Sequence, residues 1–123
     1  MALHYTTAFI TLATSNFESV VRFYGQLLSQ KPHPYQPGRY AEFQLLGLRL
    51  GIFQPQTTHQ EEFSNSTGSG LSLCLEVEHL DEAIAFLTSM GYPPPGTINI
   101  ASHGREIYSY DPDGNRLILH ESS

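Results

Sequence analysis

Cysteine and tryptophan are almost missing from this sequence. Its 123 residues include one cysteine, Cys74, and no tryptophan. A single cysteine excludes an internal disulfide and the cysteine-rich zinc motifs, and it is typical of proteins in a reducing cytoplasm. Because Cys74 stands among apolar residues, we predict that it is a small core or cavity residue rather than a nucleophile.

Positive charge and long apolar runs are also scarce. Six lysines and arginines stand against twelve aspartates and glutamates, which gives a net charge of −6 at pH 7. The basic residues are scattered, so the sequence predicts no nucleic-acid partner. The first residues lack the basic start of a signal peptide, and no apolar stretch reaches the ~20 residues that cross a membrane. We therefore expect a cytoplasmic protein with no membrane partner.

The most informative feature that is present is an internal repeat. Residues 9–32 recur in pattern at residues 72–95, a shift of 63 positions (72 − 9). Residues 47–53 recur at residues 114–120, a shift of 67 positions (114 − 47). A fixed long-range period indicates two copies of one structural unit. The two shifts differ by the length of a short loop insertion.

Each copy reads as a strand, a helix and further strands. Asn16 is a candidate helix N-cap, and apolar residues follow it at helical spacing. Gly91 ends the equivalent helix of the second copy. The prolines in residues 29–39 predict a loop there. Strands are predicted at residues 7–14, 40–46, 48–53, 71–78, 97–101, 106–110 and 116–121.

These elements predict an α+β fold made of two tandem βαβββ modules. The modules occupy about residues 5–54 and 71–121 of a single domain that spans residues 1–123. Residues 55–70 are polar and rich in serine, threonine and glutamine, which is typical of a connector.

Side chains alternate between the two faces of each predicted strand. The apolar face is expected to pack on the helices. It holds Ile10, Leu12, Leu48, Leu50, Ile52, Leu71, Leu73, Leu75, Val77, Leu117 and Leu119. The opposite face mixes aromatic, small and charged residues, and we predict that it lines a ligand-binding cleft. The predicted cleft residues are Phe9, Thr11, Arg49, Phe53, Ser72, Cys74, Tyr108, Tyr110, Arg116, Ile118 and His120. A solvated sheet face that binds nothing is the alternative.

Two segments carry a family resemblance together with the repeat. They are Asn-Phe-Glu-Ser-Val-Val-Arg-Phe-Tyr at residues 16–24 and Tyr-Asp-Pro-Asp-Gly-Asn-Arg at residues 110–116. The sequence thereby resembles the vicinal oxygen chelate superfamily of glyoxalases, bleomycin-resistance proteins and extradiol dioxygenases. The resemblance covers nearly the whole chain. It implies curved mixed sheets that enclose a cleft, and a homodimer that often completes the cavity.

Metal-dependent members of that superfamily hold a divalent cation with one histidine or glutamate at each of four places. By resemblance, these places fall at Phe9, Gly51, Ser72 and Ile118. None of these side chains is a useful ligand for such a cation, so we expect neither a metal nor another cofactor. A displaced site at His4, His120 and Glu121 is the alternative, although adjacent strand residues face opposite ways.

The resemblance and the residues together favour a metal-free binding protein similar to the bleomycin-resistance branch. Its ligand would be a small organic molecule, aromatic or anionic, with Arg49 or Arg116 pairing the anionic group. The second hypothesis is a metal-dependent lyase, isomerase or dioxygenase that uses the displaced site. The third is a scaffold whose cavity is filled by its own side chains. Whether the protein is an enzyme stays open at this point, and no catalytic residue is assigned.

Overall fold

The computed structural model describes residues 2–64 and 69–123. These residues form two compact units on either side of residues 65–68. That short stretch belongs to the predicted connector and lies outside the described residues.

The first unit is a four-stranded mixed sheet with one α-helix. Its elements are β1 (Ile10–Ala13), α1 (Phe17–Leu28), β2 (Tyr35–Gln36), β3 (Tyr40–Leu45), β4 (Leu48–Phe53) and a 3₁₀ helix (Thr57–Phe63). The strand order is β1-β4-β3-β2, with β1 parallel to β4 and the other pairs antiparallel.

The second unit repeats this arrangement. Its elements are β5 (Leu73–Glu76), α2 (Leu80–Ser89), β6 (Asn99–Ala101), β7 (Gly104–Tyr110) and β8 (Arg116–Ser122). The strand order is β5-β8-β7-β6, and β5 is parallel to β8. The predicted α+β fold with paired βαβββ modules is confirmed.

The register of the two sheets reproduces the repeat found in the sequence. Ile10 pairs with Leu50 in the first sheet, and Leu73 pairs with Leu117 in the second. The partners are related by the same two shifts, 73 − 10 = 63 and 117 − 50 = 67. The extra residues of the second copy therefore lie between its first and last strands.

One face of each sheet packs on the helix of the same unit, as the apolar pattern predicts. Helix α1 contacts β3 and β4, and helix α2 contacts β8. The apolar side chains of these faces and helices that are at most 2% exposed are Val20, Phe23, Tyr24, Ala41, Phe43, Leu50, Ile52, Leu80, Leu87, Leu117 and Leu119. Leu71 is an exception, because it precedes β5 and is 64% exposed. Within the described ranges, no helix is both long and apolar enough to span a bilayer.

Three local features differ from the sequence-based expectations. Residues 29–39 contain β2, which is only two residues long and therefore too short to show an alternating pattern. The predicted connector contains a 3₁₀ helix at Thr57–Phe63. Asn16 occupies the N-cap position, but its side chain makes no cap hydrogen bond; its N–H donates instead to Thr14 Oγ1 at 2.8 Å.

Candidate functional site

Each sheet has a second face, which we call its open face, turned away from the helix of its unit. Strand register places the predicted cleft residues on or beside these faces. In the first unit Thr11 lies opposite Gly51 on the neighbouring strand. In the second unit one row contains Cys74, Ile118 and Tyr108. Cys74 is exposed there, so it is not a core residue, and its role as a cavity residue stays a prediction.

Arg49 is at the centre of a contact network on the first open face. Its guanidinium carbon lies 4.4 Å from the centroid of the Phe9 ring, a cation–π contact. Its Nε lies 3.7 Å from a Glu42 carboxylate oxygen. Glu42 also accepts hydrogen bonds from the Tyr40 hydroxyl at 2.8 Å and from the side-chain amide Nε2 of Gln44 at 2.9 Å. Arg49 therefore already has an anionic partner within its own sheet.

Tyr40 lies over Gly51 on the same face. A Cβ atom at Gly51 would approach the Tyr40 hydroxyl to 2.7 Å, closer than real side chains come. Burial raises the pKa of the Tyr40 hydroxyl, and its hydrogen bond to Glu42 raises it further, while the charge of Arg49 opposes these effects. The space above Gly51 is thus filled by a neutral phenol.

A cavity of about 740 Å³ lies at one end of this sheet, bounded by the 3₁₀ helix. Phe53 and Phe63 meet there edge to face, with ring centroids 5.4 Å apart. Tyr40 and Arg39 also line the cavity. Strand alternation marks Phe53 but not Phe63, because Phe63 stands in a polar segment with no repeat partner.

Arg116 makes several hydrogen bonds on the second open face. It donates to the Ser72 hydroxyl at 2.9 Å and to the Ser69 carbonyl oxygen at 2.9 and 3.0 Å. Tyr108 and Tyr110 line a separate cavity of about 370 Å³. The structure therefore brings the two predicted tyrosines together, and it gives Arg116 partners within its own unit.

His120 lies in a chain of polar side chains on the same face. Its Nδ1 is 2.6 Å from Glu76 Oε1, and its Nε2 is 2.9 Å from His103 Nδ1. The Ser122 hydroxyl donates to the other Glu76 oxygen at 3.2 Å. Strand alternation places Glu76 on the mixed face without marking it as a cleft residue, and its pairing with His120 follows from the register of two parallel strands.

Glu121 faces the opposite way from His120. One of its oxygens accepts the backbone N–H of Leu80, the first residue of α2, at 2.8 Å. The other accepts the Arg105 Nε–H at 3.0 Å. These bonds, led by that from Leu80, lower the pKa of the Glu121 carboxyl group. His120 and Glu121 therefore do not converge on one point.

The four usual ligand places do not fit a divalent cation. Arg49 covers the Phe9 ring, the Tyr40 phenol fills the space above Gly51, and Arg116 holds the Ser72 hydroxyl. The fourth place is the apolar side chain of Ile118. In the part of the chain that the structure describes, no group of three or more His, Cys, Asp or Glu residues is placed to hold a metal ion.

Comparisons with known proteins identify the fold. No protein-family model and no curated protein sequence matches this chain. A protein of Agrobacterium tumefaciens solved by NMR is 26% identical with a TM-score of 0.77, over 96% of this chain and 99% of that one. A glyoxalase/bleomycin resistance protein of Catenulispora acidiphila is 23% identical with a TM-score of 0.69, over 94% and 97% of the two chains. The fosfomycin resistance protein FosX of Listeria monocytogenes is 17% identical with a TM-score of 0.75, over 98% and 94%. The resemblance found in the sequence is confirmed: this chain has the fold of the vicinal oxygen chelate superfamily.

Proposed function

We propose that this protein binds a small aromatic anion without a metal ion, in the manner suggested by the bleomycin-resistance branch of its superfamily. The observation that carries the proposal is the cavity of about 740 Å³ in the first unit. Its volume lies within the range of small-molecule sites, which are typically concave, largely apolar and provided with a few polar anchors.

The lining of this cavity suits an aromatic ligand. The rings of Phe53 and Phe63 are perpendicular, with an interplanar angle of 87°, so they offer one ring face and one ring edge. Aromatic side chains prefer such offset and edge-to-face neighbours over stacked sandwiches. Phe63 is 43% exposed, so part of its ring is available to a ligand.

Arg39 supplies the reason to expect a negative charge on the ligand. It lines the cavity and is exposed, and it makes no ion pair among the described residues. Arg49, by contrast, has Glu42 and Phe9 as partners. We therefore assign the anionic group of the ligand to Arg39, which no sequence pattern marks, rather than to Arg49 or Arg116.

Two observations support binding without a metal ion. The side chains at the four usual ligand places are poor metal ligands, and an arginine lies near two of these places. Arg49 stands two residues before Gly51 in β4, and Arg116 stands two residues before Ile118 in β8. Residues two apart share a face of a strand, so each guanidinium lies on the face where a cation would bind. A guanidinium on that face repels a cation, and in the first unit Glu42 offsets part of this charge.

Binding measurements on metal-stripped protein test this function. We expect benzoate and phenyl phosphate to bind the wild type, and Phe63→Ala to weaken both by about tenfold, the size of one lost aromatic contact. Arg39→Ala should weaken these anions by tenfold or more, yet leave neutral benzamide unchanged. Phe86→Ala and Arg22→Ala serve as controls, because both residues are exposed on helices.

Two results would contradict the proposal. The first is an equal loss of affinity in Phe63→Ala and Phe86→Ala, since Phe86 is exposed to a similar degree but lies outside the cavity. The second is binding that occurs only after a divalent cation is added. That result would support the alternative function, a metal-dependent lyase, isomerase or dioxygenase.

A further inference from the structure

A row of three hydrogen-bonded side chains takes no part in the binding function proposed above. It consists of Glu76, His120 and His103. Its members come from β5, β8 and the turn between β6 and β7. The two contacts that join them are short, 2.6 Å from Glu76 Oε1 to His120 Nδ1 and 2.9 Å from His120 Nε2 to His103 Nδ1. Both nitrogens of the middle imidazole are therefore occupied.

The chemistry of the partners fixes which atoms carry protons. An ionised carboxylate can only accept, so His120 must donate its Nδ1–H to Glu76. In a neutral imidazole the other nitrogen is then an acceptor, so His120 Nε2 accepts the Nδ1–H of His103. The Nε2 of His103 is left with a free lone pair at the outer end of the chain.

The middle of this hydrogen-bonded row is shielded, while the Glu76 side chain at its inner end is 69% exposed. The His120 side chain is 15% exposed and stands on a strand paired on both sides. The Ser122 hydroxyl holds the second Glu76 oxygen. His103, at the outer end, is exposed as well. A carboxylate behind an imidazole orients the ring and stabilises the imidazolium that forms when it takes up a proton.

We propose that Glu76, His120 and His103 form a proton relay in which His103 Nε2 is a general base toward an acidic O–H, N–H or C–H group of a small molecule. The substrate gives its proton to His103 Nε2 and keeps the bonding electron pair. The Nδ1 proton of His103 then passes to His120 Nε2. The positive charge ends on His120 beside the Glu76 carboxylate, and the reverse transfers return the proton to the product.

The tautomers of the two histidines give the first test. Free histidine prefers the Nε2–H form, whereas the proposed relay requires the Nδ1–H form of both rings. Long-range ¹H–¹⁵N spectra of the wild type should show both His103 and His120 as Nδ1–H tautomers. Glu76→Ala should return His120 to an Nε2–H or mixed state, while Glu78→Gln should change neither. Both rings in the Nε2–H form in the wild type would overturn the relay.

The second test uses 5-nitrobenzisoxazole, which reports general bases without a cofactor. A base removes its C–H proton, the N–O bond breaks, and the electron pair leaves on oxygen as a coloured phenolate. We expect the wild type to open this ring at least about tenfold faster than His103→Ala, a modest share of what general-base catalysis can supply. Glu76→Gln should retain less than half of the wild-type rate.

The controls separate this reaction from a general effect of exposed imidazoles. His33→Gln and Glu78→Gln alter exposed side chains outside the relay, so their rates should equal that of the wild type. Circular dichroism of each variant shows whether it is folded. Equal rates for the wild type and a folded His103→Ala would overturn the proposal. So would a loss in His33→Gln as large as that in His103→Ala.

Discussion

At the scale of single residues, neighbouring side chains in β8 have different tasks because a strand turns them to opposite faces. His120 lies on the open face and contacts Glu76 and His103. Glu121 lies on the helix side and accepts the Leu80 N–H at the start of α2. A negative charge at that position also complements the positive end of the helix dipole.

Glu121 should make the stability of the protein depend on pH. Its pKa is lowered in the folded state, chiefly by the hydrogen bond from Leu80, relative to an ordinary value of 4.5. Its contribution is therefore present above pH 4.5 and is lost as the pH falls through the lower folded-state pKa. We expect Glu121→Gln to be less stable than the wild type at pH 7, with a smaller difference at pH 3.

Urea unfolding at the two pH values measures this effect. Glu78→Gln is the matched control, because Glu78 is also a carboxylate near the start of α2 and is exposed. A Glu121→Gln deficit that stays constant from pH 7 to pH 3 would contradict the assigned role. So would an equal deficit in Glu78→Gln.

The sequence identified some of the important residues and missed others for physical reasons. Period-two alternation places Arg49 and His120 on the open face, and the structure agrees. The same pattern contains no information about partners across the sheet. It therefore gave no reason to predict Glu42 as the ion-pair partner of Arg49 or Glu76 as the hydrogen-bond partner of His120.

At the scale of elements, the turn between β7 and β8 is the feature that the local sequence predicts most completely. The residues Asp-Pro-Asp-Gly-Asn predict a tight turn. In the structure one Asp111 oxygen accepts the backbone N–H groups of Asp113 at 2.9 Å and Asn115 at 3.0 Å. Gly114 has φ +84°, a value that glycine adopts without strain. By contrast, β2 and the 3₁₀ helix are short and depend on tertiary contacts, so no local pattern predicts them.

Gly104, the first residue of β7, should be intolerant of any side chain. It pairs with Ser122 and has φ +142°, and a Cβ atom there would overlap the backbone carbonyl oxygen of Glu121. Backbone atoms of a paired strand cannot move away without breaking the ladder. We expect Gly104→Ala to lower the free energy of unfolding by about 2 kcal/mol or more, measured by urea denaturation.

Gly96→Ala is the control for this substitution. A Cβ atom at Gly96 would meet no other atom within 4 Å, and the backbone there is not in the left-handed region. Its effect should lie within about 0.5 kcal/mol of zero, as for most surface positions. If both alanine variants were equally stable, the tight packing at Gly104 would be refuted.

At the scale of the whole molecule, the repeat determined the topology of both sheets. Two segments related by a constant shift must fold alike, and the strand orders β1-β4-β3-β2 and β5-β8-β7-β6 are equivalent. The proposed binding cavity, by contrast, is lined in part by residues that lie outside the repeated segments. Phe63 lies in the segment between the two copies, so the repeat could not point to the cavity that it helps to line.

We propose that the protein forms a homodimer, as its resemblance to the superfamily suggests. Several apolar side chains are exposed in the single chain, among them Leu3 at 84%, Leu46 at 105% and Ile100 at 83%. Burial of such side chains between two copies is favourable. Light scattering after size exclusion should give twice the chain mass of 13.7 kDa. A mass of one chain at micromolar concentration would contradict the proposal.

The measurement that tests the central claim most directly is a thermal-unfolding titration of chelator-treated protein with aromatic anions and, separately, with zinc, nickel, manganese and iron ions. A ligand at 100 times its Kd adds about 2.7 kcal/mol, which corresponds to a rise in Tm of roughly 10 °C for a domain of this size. Metal-free binding predicts that at least one aromatic anion raises the Tm and that no cation does. A rise produced by a cation alone, or an organic compound that stabilises only when a cation is present, would contradict it.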